Sequence, residues 1–399
     1  MIFHNNVINA GHSRTDTMIR VLLLVLVMSG VAMAQTIPDL LLPSNKQAQK
    51  RPEGKREKKV KINPSAFKSA RIQIELFEGK KTTFTRKHSD KENWVGDSRD
   101  GEAIISVVEG VVNGMVFTED GAFEFLRDAD GDYTLIEVDP TTFPPEGPPD
   151  MERVSPNAQP KPRSLADLPG PPVMDVVVFW TPQAESAAGG AINMRTLITN
   201  AIALSNKVYA NSQVNTTLRL VHAARVEYKE VNISTDLSAL RSTSDGKMDQ
   251  IHAIRTTFGG DIVSLIGNTY KSAGYCGLGG LMRVNSSAYA TQAFNAVDRR
   301  CAVANLSFPH ELGHNQGLHH DKANAGSTGA YPYAYGYQDP AKLFRTVMSY
   351  GSATRRPYLS NPNVLYGGKP TGIKDAADNS RALQLTAPTV GAFRGTVVP

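Results

Sequence analysis

The sequence predicts an α/β (α+β) domain in its C-terminal part, preceded by a smaller β-rich domain. Three observations carry this. From Met174 onward, continuous apolar runs alternate with stretches of helical periodicity. Between about Ala66 and Asp139 lie short alternating or β-branched runs broken by Gly- and Asp-containing turns. Separating the two, residues 140–173 are crowded with proline.

The elements follow in order. Arg14 and Arg20 precede "VLLLVLVMSGV", and "AMA" ends at Ala34. A positive n-region, a short apolar run and a small-x-small site predict a signal peptide over 1–34, with Met18 an alternative start. The run is too short to span a bilayer comfortably, so the expectation is a secreted protein with no stable membrane association. "KRPEGKREKKVK" (Lys50 to Lys61) is basic and poor in apolar residues, and is read as a solvated, flexible segment rather than a nucleic-acid site. The net charge of +5 over 399 residues agrees with that reading.

Residues 35–139 hold the β-rich domain, with "RIQIELF", "AIISVVEG", "GMVFTEDGAFEFL" and "DYTLIEV" as strands. "DADGD" (Asp128 to Asp132) is read as a hairpin turn, because its glycine is at position four of the run and a calcium loop needs it at six. Residues 140–173 are expected to be a stiff, exposed linker holding a maturation site. Residues 174–399 then give strands at "DVVVFWT", "TTLRLVHAARVEY" and "DIVSLIG", and helices at "AINMRTLITNAIALSNKVYANS" and "DGKMDQIHAIRTTF". "LGGLMRV" is assigned to an edge strand whose glycines let another backbone approach. The only two cysteines, Cys276 and Cys301, are expected to form one disulfide in an exported chain.

The chemistry concentrates in "HELGHNQGLHHD", His310 to Asp321, with four of the nine histidines. On a helix, His310 and His314 lie one turn apart on the same face and aim two imidazoles at one point. Glu311, roughly 100° around the helix, projects beside that point, where a general base for a water is needed. Two nitrogens do not complete a catalytic zinc site, so a third protein ligand is required. Gly317 supplies the left-handed turn that ends the helix and brings the chain back. Both His319 and His320 are candidates for the third ligand on spacing alone. Pro309 is tolerated only in a first turn, so the helix is expected to start at Ser307 or Phe308.

"HELGHNQGLHH" fits HExxHxxGxxH, and the chain resembles the metzincin zinc proteases. The resemblance implies His310, His314 and His320 as ligands of one catalytic Zn2+, Glu311 as the catalytic base, and His319 exposed. Asp321 after the third ligand is similar to the reprolysin/adamalysin and snapalysin branches. Met348 in "TVMSYG" would form the apolar floor under the histidines, and Tyr350 would approach the metal or the oxyanion. From "DVVVFWTPQA" through "YCGLGGLM", "YLSNPNV" and "ADNSRAL", the region is similar to the bacterial peptidyl-Asp metalloendopeptidases. That resemblance implies a twisted, mostly parallel sheet flanked by helices, and a "GLGGLM" edge holding an extended peptide substrate by strand addition.

It further implies cleavage on the N-terminal side of aspartate, for which an arginine partner is expected. Arg345, Arg355 and Arg356 are the candidates, with Arg356 preferred. The β-rich domain is expected to act as the chain's own inhibitory propeptide, with self-processing ahead of Asp167 or Asp175. Alternatives are a secreted binding or adhesion protein with structural zinc, or a metalloprotease without aspartate preference. The sequence leaves calcium binding open.

Overall fold

The computed structural model describes residues 36–151 and 170–397. The expected signal peptide and Asp167 lie outside the described residues. Among those described, no helix is long and apolar enough to cross a membrane.

The N-terminal part is an antiparallel sheet of nine strands. They are β1 (Leu41–Pro43), β2 (Gly54–Ile62), β3 (Arg71–Glu75), β4 (Lys81–Ser89), β5 (Asn93–Asp97), β6 (Gly101–Val108), β7 (Val111–Thr118), β8 (Gly121–Arg127) and β9 (Tyr133–Val138). The spatial order is β1-β2-β9-β8-β7-β6-β5-β4-β3. Its two ends meet, because Leu40 N–H donates to the Gln73 carbonyl at 2.8 Å and Gln73 N–H to the Pro38 carbonyl at 2.9 Å. Period-two alternation then sorts the side chains. Ala103, Ile105, Val116, Phe123 and Phe125 join one apolar core, while Ile104, Met115 and Phe117 join another shared with the C-terminal region.

Here the basic segment departs from expectation. Gly54 to Ile62 is a paired strand, not a flexible tether. Its charges are matched across the sheet: Arg56 Nε donates to Glu137 at 2.6 Å and Lys59 Nζ to Asp128 at 2.6 Å. Asp128 sits in the turn joining β8 to β9, where "DADGD" was assigned to a hairpin.

The C-terminal part is built on a second sheet. It contains β10 (Val173–Trp180), β11 (Thr217–Arg225), β12 (Ile262–Gly267), β13 (Gly277–Gly279) and β14 (Phe294–Asp298), in the order β11-β10-β12-β14-β13. The pairs β10/β11, β10/β12 and β12/β14 are parallel, and β13/β14 is antiparallel. β10 is buried on both faces, which explains its unbroken apolar run. Val176, Val178 and Trp180 face one core, Val177 and Phe179 the other.

Around the sheet lie α1 (Pro182–Ala188), α2 (Ala191–Asn211), α3 (Ile233–Arg241), α4 (Gln250–Phe258), the single turn α5 (Arg299–Ala302), α6 (Ser307–Asn315) and α7 (Asn379–Val390). The Thr181 and Asn232 side chains cap α1 and α3 by accepting from Ala184 N–H at 3.1 Å and Thr235 N–H at 2.9 Å. α2 joins the two sheets: Asn200 Nδ2 donates to the Ile104 carbonyl of β6 at 3.1 Å and the Asn113 carbonyl of β7 at 3.3 Å.

Cys276 and Cys301 form a disulfide, with Cα atoms 5.5 Å apart. It ties the entry to β13 to α5, just ahead of α6. Cys276→Ala/Cys301→Ala is expected to lose about 3 kcal/mol through the freed 25-residue loop of the unfolded chain. A denaturation midpoint equal to that of the parent protein would contradict this.

Candidate active site

Helix α6 begins at Ser307, which puts Pro309 in its first turn, where no intrahelical N–H is lost. After Asn315 the chain reverses at Gly317, whose φ of +90° is left-handed. Leu318 N–H closes the helix end on the Gly313 carbonyl at 2.8 Å. The reversal returns His320 to the helix. Its Nε2 stands 3.2 Å from that of His310 and 3.0 Å from that of His314. Among the described residues, these three form the one group of metal-ligating side chains whose donor atoms lie within 4.8 Å of one another.

The orientation of two of the rings is fixed from behind. His310 Nδ1 lies 2.8 Å from the Val347 carbonyl and His314 Nδ1 2.9 Å from the Leu318 carbonyl. A carbonyl only accepts, so Nδ1 carries the proton and each Nε2 presents a lone pair. Burial, above all, holds all three imidazoles neutral. It pushes His310 and His314 well below the ordinary histidine range and His320 down to about 2, and in each the neighbouring imidazoles add to the effect. The His310 and His314 lone pairs thus face His320 Nε2 at 3.2 and 3.0 Å, a set of nitrogens able to hold a cation. The spacing suits one: nitrogens about 2.0–2.1 Å from a tetrahedral zinc lie roughly 3.3 Å apart.

Glu311 is fully buried, and neither carboxylate oxygen has a hydrogen-bond partner among the described residues. Burial, then the charge of Glu146, pushes its carboxyl well above the usual range, while Arg355 opposes this. The carboxylate lies against the edge strand β13. A Cβ on Gly277 would fall 2.5 Å from Glu311 Oε1, and one on Gly279 would fall 2.9 Å from Oε2. These glycines therefore make room for the glutamate as well as for an approaching backbone. A buried polar chain fixes α6 against β14 and the edge: Asn295 Nδ2 donates to Asn315 Oδ1 at 2.8 Å, and Asn315 Nδ2 to the Gly280 carbonyl at 2.9 Å. Asn295 and Asn315 do not stand out in the sequence analysis. The signal for Asn295 is an asparagine interrupting the apolar stretch "AFNAV", and Asn315, among polar neighbours, has none.

Met348 is fully buried beneath α6, where a Cβ on Gly313 would meet its sulfur at 2.5 Å. The Tyr350 ring packs against His320 with centroids 4.2 Å apart, and its N–H donates to Asp321 at 2.9 Å. His319 was expected to be exposed. It is buried instead, with Nε2 3.2 Å from Ser327 Oγ and Nδ1 accepting from His320 N–H at 2.7 Å. Adjacent residues in an extended segment point to opposite sides, so one of the pair faces the cluster while the other packs into the loop behind it.

The proline-rich segment holds the largest departure. Its first part is not an exposed linker, because Glu146, Gly147 and Pro149 are buried. The segment lies along β13: Cys276 N–H donates to the Pro145 carbonyl at 3.0 Å, Gly147 N–H to the Gly277 carbonyl at 2.7 Å and Asp150 N–H to the Gly279 carbonyl at 2.9 Å. Tyr350 Oη donates to the Glu146 carbonyl at 2.9 Å. Proline blocks internal helix and sheet ladders, yet the residues between the prolines still have N–H groups to donate.

The three arginine candidates separate. Arg345 is buried and spent on backbone carbonyls of its own loop, donating to Ala353 at 2.9 Å and also to Ser349. Arg356, the preferred one, turns to the N-terminal sheet and donates to the Thr118 carbonyl at 2.6 Å. Arg355 pairs with Glu146, which also accepts from Ser307 at the start of α6. Asp175 is 1% exposed within β10 and gripped by Arg219 at 2.8 and 3.0 Å, so the bond before it is closed to self-processing in the folded chain.

Residues 170–377 match the model of the reprolysin-like metallopeptidase family M12B. The chain belongs to this family. The metallopeptidase is 38% identical over 317 residues to the peptidyl-Asp metalloendopeptidase of Stenotrophomonas maltophilia (strain R551-3), spanning 75% of this chain and 72% of that one. It is 36% identical over 274 residues to the protein of that name from Xanthomonas campestris pv. campestris, spanning 67% and 63%. A third, from Pseudomonas aeruginosa, is 31% identical over 255 residues, spanning 57% of this chain and 41% of that one. As a metalloendopeptidase, the chain is a hydrolase.

Proposed function

We propose that the metallopeptidase is a secreted zinc endopeptidase, made as a precursor, that cuts peptides on the N-terminal side of aspartate. The observation that carries the hydrolase reading is the convergence of three neutral Nε2 atoms beside a buried carboxylate with no partner of its own. His310, His314 and His320 would hold the ion, and Glu311 and Tyr350 would act around it. A bound Zn2+ supplies Lewis acidity to a peptide carbonyl and lowers the pKa of water.

The chain's own residues do the rest. β13 takes the substrate as an added strand and fixes the register of the bond to be cut. Glu311 accepts the proton of the attacking water at a carboxylate oxygen and delivers it to the leaving nitrogen. Tyr350 Oη, which now donates to a backbone carbonyl, would donate to the carbonyl oxygen as negative charge develops there. Aspartate preference is suggested by the names of the three relatives. Secretion rests on residues 1–34.

The precursor reading is supported by residues 145–150, which occupy the edge that a substrate would use. Inhibition is then steric cover, and activity requires displacing or cutting this segment. Casein digestion by the secreted protein, with and without a chelator, tests the central reading. Digestion abolished by chelator and restored by Zn2+ is expected; digestion indifferent to chelator would refute it. A folded, zinc-loaded protein inert on casein after removal of residues 145–150 would favour the binding-protein alternative.

A further inference from the structure

We propose that Arg355, with Ser307 and Asn305, is the pocket that reads the acidic side chain of the substrate, and that Glu146 is the chain's own stand-in for that side chain. This rests on the endopeptidase reading for what the pocket is used for, though not for its existence.

The Glu146 carboxylate is gripped on both oxygens. Arg355 Nη1 donates to Oε1 at 2.5 Å and Nη2 to Oε2 at 2.9 Å, as a two-pronged fork. Ser307 Oγ and Asn305 Nδ2 add bonds to Oε1 at 2.9 and 3.3 Å. Ser307 is also the first residue of α6, whose N-terminal end favours negative charge. Meanwhile the Glu146 backbone is held as that of an extended peptide would be. Its neighbours pair with β13, in parallel where Asp150 meets Gly280, and its carbonyl accepts from Tyr350. Glu146 thus stands in for the acidic side chain and not for the bond to be cut, whose carbonyl belongs to the residue before the aspartate. One residue therefore lies on the strand edge, beside the catalytic tyrosine candidate, with its side chain in a charged pocket.

The energetics make the pocket selective. The side chains of Arg355 and Glu146 are 4% and 1% exposed. Arg355 is anchored by a further bond from Nη1 to the Asn305 carbonyl at 2.7 Å, so it does not swing out to water when Glu146 leaves. A buried guanidinium without a counter-charge is costly, and an amide in place of the carboxylate has one acceptor where the fork needs two. Departure of the covering segment thus leaves a site that demands an anion. The precursor hides its own specificity pocket by filling it with glutamate, one methylene longer than aspartate.

The test uses the full-length chain. In Glu146→Ala the pocket is empty, and small carboxylates can re-enter it. Acetate and propionate, the ends of aspartate and glutamate, are added to this protein with its metals chelated, and the melting temperature is followed. Acetamide and propionamide are the neutral controls. A rise is expected with the carboxylates and not with the amides, lost in Glu146→Ala/Arg355→Gln and absent from the parent protein. Equal effects of acids and amides, or an effect that survives Arg355→Gln, would overturn it.

Should Glu146→Ala not fold, peptides identical but for aspartate or asparagine after the cut decide the matter. In Glu146→Gln, whose segment has lost the charge that anchors it in the pocket and so yields the edge to a peptide, the aspartate peptide is expected to have a kcat/KM at least about 30-fold higher. In Glu146→Gln/Arg355→Gln, which leaves no buried charge unpaired, that ratio should fall near one. A ratio unchanged by the second substitution refutes the pocket while leaving the hydrolase intact. Conversely, a protein inert on casein that keeps the carboxylate response retains the acid-reading pocket and loses the hydrolase reading.

Discussion

Glu311→Gln keeps the fold and the histidine cluster and loses turnover by about 10²–10⁴-fold, the contribution of a positioned general base. The expectation follows from the surroundings of the side chain. Neither carboxylate oxygen has a hydrogen-bond partner among the described residues, so removing the charge breaks no hydrogen bond there. Burial already disfavours the charge, so the neutral amide is tolerated and stability should hold or rise. What the amide cannot do is accept a proton. Peptide hydrolysis under single-turnover conditions, with zinc content measured on the same samples, is the check. Near-normal rates at full zinc occupancy would remove Glu311 from the chemistry.

Gly277→Ala should cost about 100-fold in kcat without altering any functional side chain. The new methyl would arrive 2.5 Å from Glu311 Oε1 and 2.6 Å from its Cγ, closer than van der Waals contact allows. Either the glutamate turns away or the edge strand retreats, and a displacement of about 1 Å at a reacting group is worth that much in rate. Gly277 has an ordinary backbone conformation, so alanine strains nothing else there. Gly326→Ala is the control, because its methyl meets nothing within 4 Å. Unimpaired turnover in Gly277→Ala would show that the carboxylate has room to spare and that the glycines serve only the approaching backbone.

Much of this site is legible in the sequence because it is local. His310, Glu311, His314 and Gly317 are related by one helical turn and one left-handed residue, so spacing alone predicts where their side chains go. The buried strand over Val173–Trp180 is equally local, its apolar run long enough to exclude an exposed face. What escaped depends on partners distant in sequence. The basic run of β2 looks like a tether until Asp128 and Glu137 neutralise it across the sheet. Arg355 and Arg356 are neighbours whose side chains diverge, one to Glu146 and one to the N-terminal sheet, and no composition argument separates them. His319 and His320 differ in the same way. Glu146 was hidden among prolines, where the rule that proline marks exposed linkers ignores the hydrogen-bonding capacity of the residues between.

All of this depends on a metal ion bound where the three imidazoles meet. X-ray absorption at the zinc edge on the purified protein tests it most directly. One zinc per chain is expected, with nitrogen ligands at about 2.0–2.1 Å, and His314→Ala is expected to lose it. A metal-free protein that still hydrolyses peptides, or zinc retained with an unchanged spectrum in His314→Ala, would contradict it.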